Sequence, residues 1–173
     1  IRGELMAIEI ERKFLLKNDS WRTTVHHNIR IAQAYLNDSA AIEAGREHCS
    51  VRVRISGQSA NINIKSRELG AKRQEFEYPI PLQDAESLIV LCCNGLIDKT
   101  RHLLQFGTHL WEIDEFAREN VGLIVAEIEL SDINETFEIP DWLGLEVTDQ
   151  LRYYNMALSA RPYSMWSTEE KIC

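Results

Sequence analysis

Glu9-Ile10-Glu11-Arg12-Lys13-Phe14 sets charged and apolar residues in alternation. Successive side chains of a strand point to opposite faces, so Glu9, Glu11 and Lys13 share one face. Ile8, Ile10 and, beyond a polar Arg12, Phe14 take the other. The design returns in Arg52-Val53-Arg54, Glu75-Phe76-Glu77, Lys99-Thr100-Arg101, Glu112-Ile113-Asp114 and Glu127-Ile128-Glu129. Asn61, Asn63 and Lys65 likewise share a face, with Ile62 and Ile64 opposite. One such stretch is an ordinary antiparallel strand with its polar side in water. Seven of them, with acidic pairs and basic pairs kept to separate strands, are something else, because like charges side by side repel and a solvent face mixes its signs. Adjacent acidic pairs suit a hard divalent cation, and adjacent basic pairs suit a polyphosphate. About eight strands closed into a barrel leave room for side chains or one small ligand. Charged faces turned inward would line a tunnel, and burying that charge requires pairing or bound ions. The apolar faces would then point outward, under helices.

The 173-residue chain, with 45% hydrophobic and 27% charged residues, fits one soluble domain with a core of its own. A formal net charge of −8 argues against nonspecific nucleic-acid or membrane binding, though not against a local basic pocket. No apolar run approaches the roughly 18 residues of a membrane span. Cys49, Cys92, Cys93 and Cys173 form no CxxC pattern, which reads as free thiols in a reducing cytoplasm. His26-His27 cannot chelate from one face and reads as surface loop. His48 shares parity with Arg52 and Arg54, so it either lines a tunnel mouth or is a plain polar strand residue. Trp111, Trp142 and Trp166 read as packing or surface aromatics.

Turn signals at Asn37-Asp38-Ser39, Ser56-Gly57-Gln58-Ser59, Leu69-Gly70, Asn94-Gly95, Gly107 and Gly122 separate β-rich runs. Strands are expected near 6–14, 28–37, 46–56, 60–67, 72–79, 96–105, 108–116 and 122–131. Helices are expected at a short turn capped by Asn18-Asp19-Ser20, at Pro81–Cys92, and from Thr148 or Asp149 to about Ala160. The single domain then spans 6–160. Residues 1–5, ahead of Met6, read as an added remnant, and 161–173 as a loosely packed tail.

Met6-Ala7-Ile8-Glu9-Ile10-Glu11-Arg12-Lys13-Phe14 resembles the N-terminal ExExK signature of the CYTH superfamily, the triphosphate tunnel metalloenzymes. Val51–Ile55, Ile64-Lys65, Arg73–Tyr78, Asp98–Arg101, Trp111–Asp114 and Ala126–Leu130 follow in family order. Glu146–Asp149 with Arg152-Tyr153-Tyr154-Asn155 resembles the bacterial short-form members, although Leu151 stands where some relatives carry a Lys. The resemblance implies a mainly β (α+β) fold, a closed eight-stranded antiparallel barrel with a few flanking helices. It implies Glu9, Glu11, Glu127, Glu129 and Asp114 as metal ligands, with Glu112 assisting. It implies Lys13, Arg52, Arg54, Lys65, Arg73, Lys99 and Arg101 as phosphate binders, and Arg152 reaching the tunnel mouth. Glu9, Glu11, Lys13, Lys65 and Arg152 form the catalytic set so implied.

The activity implied is hydrolysis of the terminal phosphate of inorganic triphosphate with Mg²⁺ or Mn²⁺, two ions in all. The expected partner is a small triphosphate-bearing molecule, with no nucleic acid and no membrane; a homodimer stays open. Two alternatives compete. One is a class IV adenylate cyclase, for which no adenine pocket is readable. The other is a silent polyphosphate or nucleotide binder, against which the retained acidic pairs argue.

Overall fold

The computed structural model describes residues 8–66 and 72–172; residues 1–5, the Leu69-Gly70 turn and Cys173 lie outside them. β1 (Ile8–Leu16), β2 (His27–Tyr35), β3 (Cys49–Ser56), β4 (Ser59–Ser66) and β5 (Lys72–Ile80) precede β6 (Ile97–Phe106), β7 (His109–Phe116), β8 (Ile124–Glu129) and β9 (Leu143–Glu146). The helices are α1 (Ser39–Glu43), α2 (Leu82–Val90), α3 (Asn155–Ala160) and α4 (Thr168–Ile172), with short 3-10 turns between elements. The sheet is antiparallel and runs β5-β4-β3-β2-β6-β7-β8-β1-β9. The mainly β expectation holds. The expected count of eight does not: the sheet has nine strands, because the short β9 adds to the outer side of β1. The strand order is that of an open sheet, and the link from its far side back to β5 is a three-residue pairing, Ile8–Ile10 of β1 with Gln74–Lys72.

β9 was missed because four residues, Leu-Gly-Leu-Glu, carry too little alternation to read. Gly144 is required there: a Cβ would lie 2.7 Å from the Leu15 carbonyl oxygen, so only a glycine lets β9 approach the irregular stretch of β1. Hairpin β3–β4 turns on Gly57-Gln58, with Gly57 at φ +57°, a conformation glycine adopts without penalty.

The outer apolar faces are covered in three places. α2 packs Leu82, Ala85, Leu88 and Ile89 against Val53 and Ala60, as its helical spacing predicts. α3 and the tail cover Ile97, Phe116 and Val125. The third cover is a non-helical segment, 131–143, whose Phe137, Trp142 and Leu143 pack on Trp111, Phe14 and Ile128. Trp21 is also fully buried, against the His102 ring.

Two expectations near the C-terminus need correction. The helix expected from Thr148 to Ala160 is split into a 3-10 turn at Leu151–Tyr153 and α3, because Tyr154 is extended at φ −77°, ψ 141°. Thr148 does not cap a helix; its hydroxyl binds β1 instead. Residues beyond 160 are not loose: Trp166 is buried against Tyr153 and Tyr163. The Trp166 indole meets Tyr153 and Tyr163 edge-on and donates to the Arg161 carbonyl at 3.3 Å, in a cluster that also holds Ile97, Phe116 and Val125 of the sheet.

Asp98 of β6 ties down the only non-glycine positive φ among the described residues, Arg118 at φ 53°. Its carboxylate accepts from Arg30 Nε and Nη2 at 3.0 and 2.7 Å and from Arg118 Nε at 2.8 Å. Hydrogen bonds from Arg30 and then Arg118 hold the Asp98 carboxyl below its ordinary value. Asp98→Asn should therefore cost about 1 kcal/mol at pH 7, since both arginine partners are largely exposed and screened by solvent. A depressed folded-state pKa gives stability that is complete above the unfolded value of about 4 and is lost as pH falls below it. Urea unfolding of both proteins from pH 7 to pH 3 checks this. The two should converge in acid, and a gap independent of pH would contradict the assignment.

Candidate functional site

The alternation does what period two requires. Glu9, Glu11 and Lys13 of β1, Arg52 and Arg54 of β3, Lys65 of β4, Arg101 of β6, and Glu127 and Glu129 of β8 all line one cavity of about 830 Å³. Glu75 and Glu77 of β5 and Glu112 of β7 join them. His48 lines it too, while remaining exposed, which favours the tunnel-mouth reading over a plain strand residue. His26 and His27 are exposed, but His27 opens β2 opposite Leu103, so only His26 lies in the loop that was expected for both.

Strand order sorts these charges. β4, β3 and β6 bring Lys65, Arg52, Arg54 and Arg101 to one stretch of wall, interrupted by β2. β2 contributes the uncharged Tyr35 to the wall, while Gln33 of the same strand face is fully buried. β7, β8, β1 and β5 bring the carboxylates to the other stretch, with Lys13 among them. Glu11 stands directly opposite Glu129 in the β1–β8 register, and Glu112 opposite Glu127 in β7–β8. Such like-charge pairs destabilise a sheet unless a cation is near.

Lysines supply part of that compensation. Lys13, 3% exposed, pairs with Glu11 and Glu127. Lys65 Nζ reaches Glu9 at 2.7 Å and Glu75 at 3.1 Å. Burial and Glu11 push Glu127 upward, yet Lys13, Arg101 and Lys99 outweigh them and bring it down to about 2. Glu129 has less help: burial, then Glu9, Glu11 and Glu75, raise its carboxyl above the ordinary range.

The basic wall has unmet donors. Arg52 is buried, and its Nε and Nη2 have no hydrogen-bond partner, Glu75 standing 3.5 Å away. Burial, then Arg52 and Arg101, pulls the Arg54 guanidinium down to about 10. Arg54 Nε donates to Gln33 Oε1 at 3.2 Å. Guanidiniums that crowd each other and lack acceptors mark a seat for an anion.

Not every expected residue reaches the cavity. Lys99 and Asp114 are fully buried beneath it, paired with each other, and Arg101 donates to Asp114 Oδ1 and Oδ2 at 2.8 and 2.7 Å. Burial pushes Lys99 down to about 8 against the pull of Asp114. Arg152 is not among the cavity-lining residues; its guanidinium lies 4.9 Å from the Tyr153 ring centre and 5.0 Å from that of Trp166. Arg73 sits opposite Glu9 in register, and its side chain lies outside the described residues. Sequence reasoning missed Tyr35, Ile42, Tyr154 and Met156, which also line the cavity. Tyr35 had a usable signal, the parity it shares with Ile31 and Gln33. Tyr154 had none, since it sits at a break between helical turns.

Among the described residues no group of three or more His, Cys, Asp or Glu is gathered in metal-ligating geometry. The donor chemistry nonetheless fits a hard divalent cation: Glu9, Glu11 and Glu129 are carboxylates on adjoining strands, and their mutual repulsion with burial raises Glu129.

The CYTH domain family profile matches residues 7–163. An inorganic triphosphatase of Acetivibrio thermocellus is 38% identical over 159 residues, covering 91% of this chain and 97% of that one. An inorganic triphosphatase of Nitrosomonas europaea is 32% identical over 154 residues, covering 87% and 96%. The crystal structure of an inorganic triphosphatase superposes with a TM-score of 0.63 at 29% identity, covering 87% and 93%. A Hippeastrum adenylyl cyclase candidate with a dominant triphosphatase activity superposes at 0.57 and 16% identity, covering 72% and 80%, a likeness of fold alone.

The burial of Lys99 makes it a structural counter-ion. Lys99→Met should lower the stability of the ligand-free protein by about 3 kcal/mol, since one partner of a buried pair is removed. Urea unfolding measures this, and a variant as stable as the wild type would contradict that role.

Proposed function

The chain belongs to the CYTH family, and from that premise we propose that it hydrolyses the terminal phosphate of inorganic triphosphate with a divalent cation. The observation that carries the reading is the cavity wall divided between unmet guanidinium donors and crowded carboxylates. A triphosphate with its cation supplies both missing partners at once. The two relatives named inorganic triphosphatase, matched over nearly their whole length, support this substrate. The cyclase alternative has fold likeness alone behind it. We take the cavity as a tunnel walled by eight strands and closed where β1 meets β5, with β9 outside it.

Arg52, Arg54 and Arg101 bind phosphate oxygens and hold the chain of phosphates in line, which supplies much of the catalysis in phosphoryl transfer. Lys65 stands where the basic and acidic walls meet, on β4 beside β5, and Lys13 stands within the acidic wall between Glu11 and Glu127. Their ammonium groups donate to oxygens that gain charge as the terminal bond breaks. Asp114 and Lys99 act from below by fixing Arg101. Glu9, Glu11 and Glu129, with Glu127 beside them, would hold Mg²⁺ or Mn²⁺, one ion or two. Such an ion supplies Lewis-acid polarisation of phosphate oxygens and of water. Arg152 supports the packing of Tyr153 and Trp166 at the rim of the site. The thiols of Cys49, Cys92 and Cys93 are free, which suits work in the reducing cytoplasm.

The test is a product analysis. Tripolyphosphate with Mg²⁺ or Mn²⁺ should yield orthophosphate and pyrophosphate, and Glu11→Gln should slow this at least about 100-fold. Cyclic AMP with pyrophosphate from ATP, and no turnover of tripolyphosphate, would overturn the reading.

A further inference from the structure

Lys13 is held from more sides than its two carboxylates. The segment 146–154 wraps around its position on β1. Val147 N–H donates to the Lys13 carbonyl at 2.8 Å, and Lys13 N–H donates to Thr148 Oγ1 at 3.1 Å. The Thr148 hydroxyl donates onward to Glu146 Oε1 at 2.7 Å, and Glu146 takes Arg12 Nε at 2.8 Å. The chain then turns through Leu151–Tyr153, and the extended backbone at Tyr154 carries its ring back to the cavity wall. The ring centre lies 5.3 Å from Lys13 Nζ. The Tyr154 hydroxyl donates to the Thr148 carbonyl at 2.7 Å, which fixes the ring's orientation through the same segment that grips the Lys13 backbone.

We propose that Tyr154 is a positioning residue, whose ring face holds the Lys13 ammonium in place for the phosphates. The carboxylates Glu11 and Glu127 attract Lys13 but also draw it along the acidic wall. A ring face attracts an ammonium from a fixed direction and takes no proton or cation from the site. It holds Lys13 toward the cavity whatever else the carboxylates bind. The break in the expected C-terminal helix then has a purpose: a continuous helix would not return residue 154 to β1. The functional side of this inference rests on the triphosphatase reading above; the geometric side does not.

Two variants and one spectroscopic probe test it. Tyr154→Phe keeps the ring and loses the hydroxyl, whereas Tyr154→Leu loses the ring. With tripolyphosphate and Mg²⁺, kcat of Tyr154→Leu should fall about tenfold with KM little changed, and Tyr154→Phe should stay within about threefold of wild type. In parallel, the ε-methylene resonances of Lys13, assigned by their loss in Lys13→Arg, are read by NMR on ligand-free protein. They should be shifted upfield by the ring in wild type and in Tyr154→Phe, and return to the ordinary lysine position in Tyr154→Leu. Unshifted Lys13 resonances in the wild type would overturn the proposal, even if Tyr154→Leu failed to fold. So would a folded Tyr154→Leu with wild-type kcat, or a Tyr154→Phe as impaired as Tyr154→Leu. A wild-type protein that shows the ring shift but does not turn over tripolyphosphate would overturn the triphosphatase reading instead, and leave the placement of Lys13 by Tyr154 standing.

Discussion

Charge buried in a protein must be paired, and in this fold strand order is what arranges the pairing. Arg101 is the hinge of the arrangement. It sits on β6, the last basic strand before the acidic ones begin, and its guanidinium meets Asp114 and Glu112 of β7 and Glu127 of β8. Lys99 completes the set from below. Without that cluster, the carboxylates facing each other on β7 and β8 would repel, and Arg54 of β3 would lose the counter-charges of Asp114 and Glu127. The same cluster leaves a deliberate imbalance above it. Lys13 and Lys65 offset only part of the acidic wall, and Arg52 keeps unmet donors. A fold stabilised at its base by complete ion pairs thus holds incomplete ones at its cavity, and that incompleteness is what a charged ligand would satisfy.

The cavity wall is consequently less strained than a count of its like charges suggests. Arg101 and Lys99 are neutralised across strands, and Lys65 is shared between Glu9 and Glu75. The residual repulsion falls on Arg54, lowered by Arg52 and Arg101, and on Glu129, raised by Glu9, Glu11 and Glu75. These two sit on opposite walls, one wanting an anion and the other a cation.

Much of this was legible in the sequence, because a period of two with acidic and basic pairs on separate strands is a strong signal. Parity puts Glu9, Glu11 and Lys13 on one strand face, and likewise Arg52 with Arg54 and Glu127 with Glu129; that these faces, with Lys65 and Arg101, turn inward is what the family resemblance added, and all of them line the cavity. Parity cannot tell depth along a strand, so Lys99 and Asp114 read as cavity residues when two positions further along β6 and β7 they are sealed in. Neighbour relations beyond hairpins are also invisible: nothing local indicates that β2 lies between the two basic strands β3 and β6. β9 and the apolar cover at 131–143 depend on partners distant in the chain. Tyr154 is the sharpest case, since a helical pattern continues through it while the backbone does not.

The central claim is that the cavity seats a cation on one wall and a polyphosphate on the other. A crystal structure grown with Mn²⁺ and a non-hydrolysable imido analogue of tripolyphosphate, with anomalous scattering recorded for manganese, tests it directly. The account predicts a manganese peak bounded by Glu9, Glu11 and Glu129, with phosphate oxygens on Arg52, Arg54 and Arg101. Manganese away from those carboxylates, or the analogue bound outside the cavity, would contradict it.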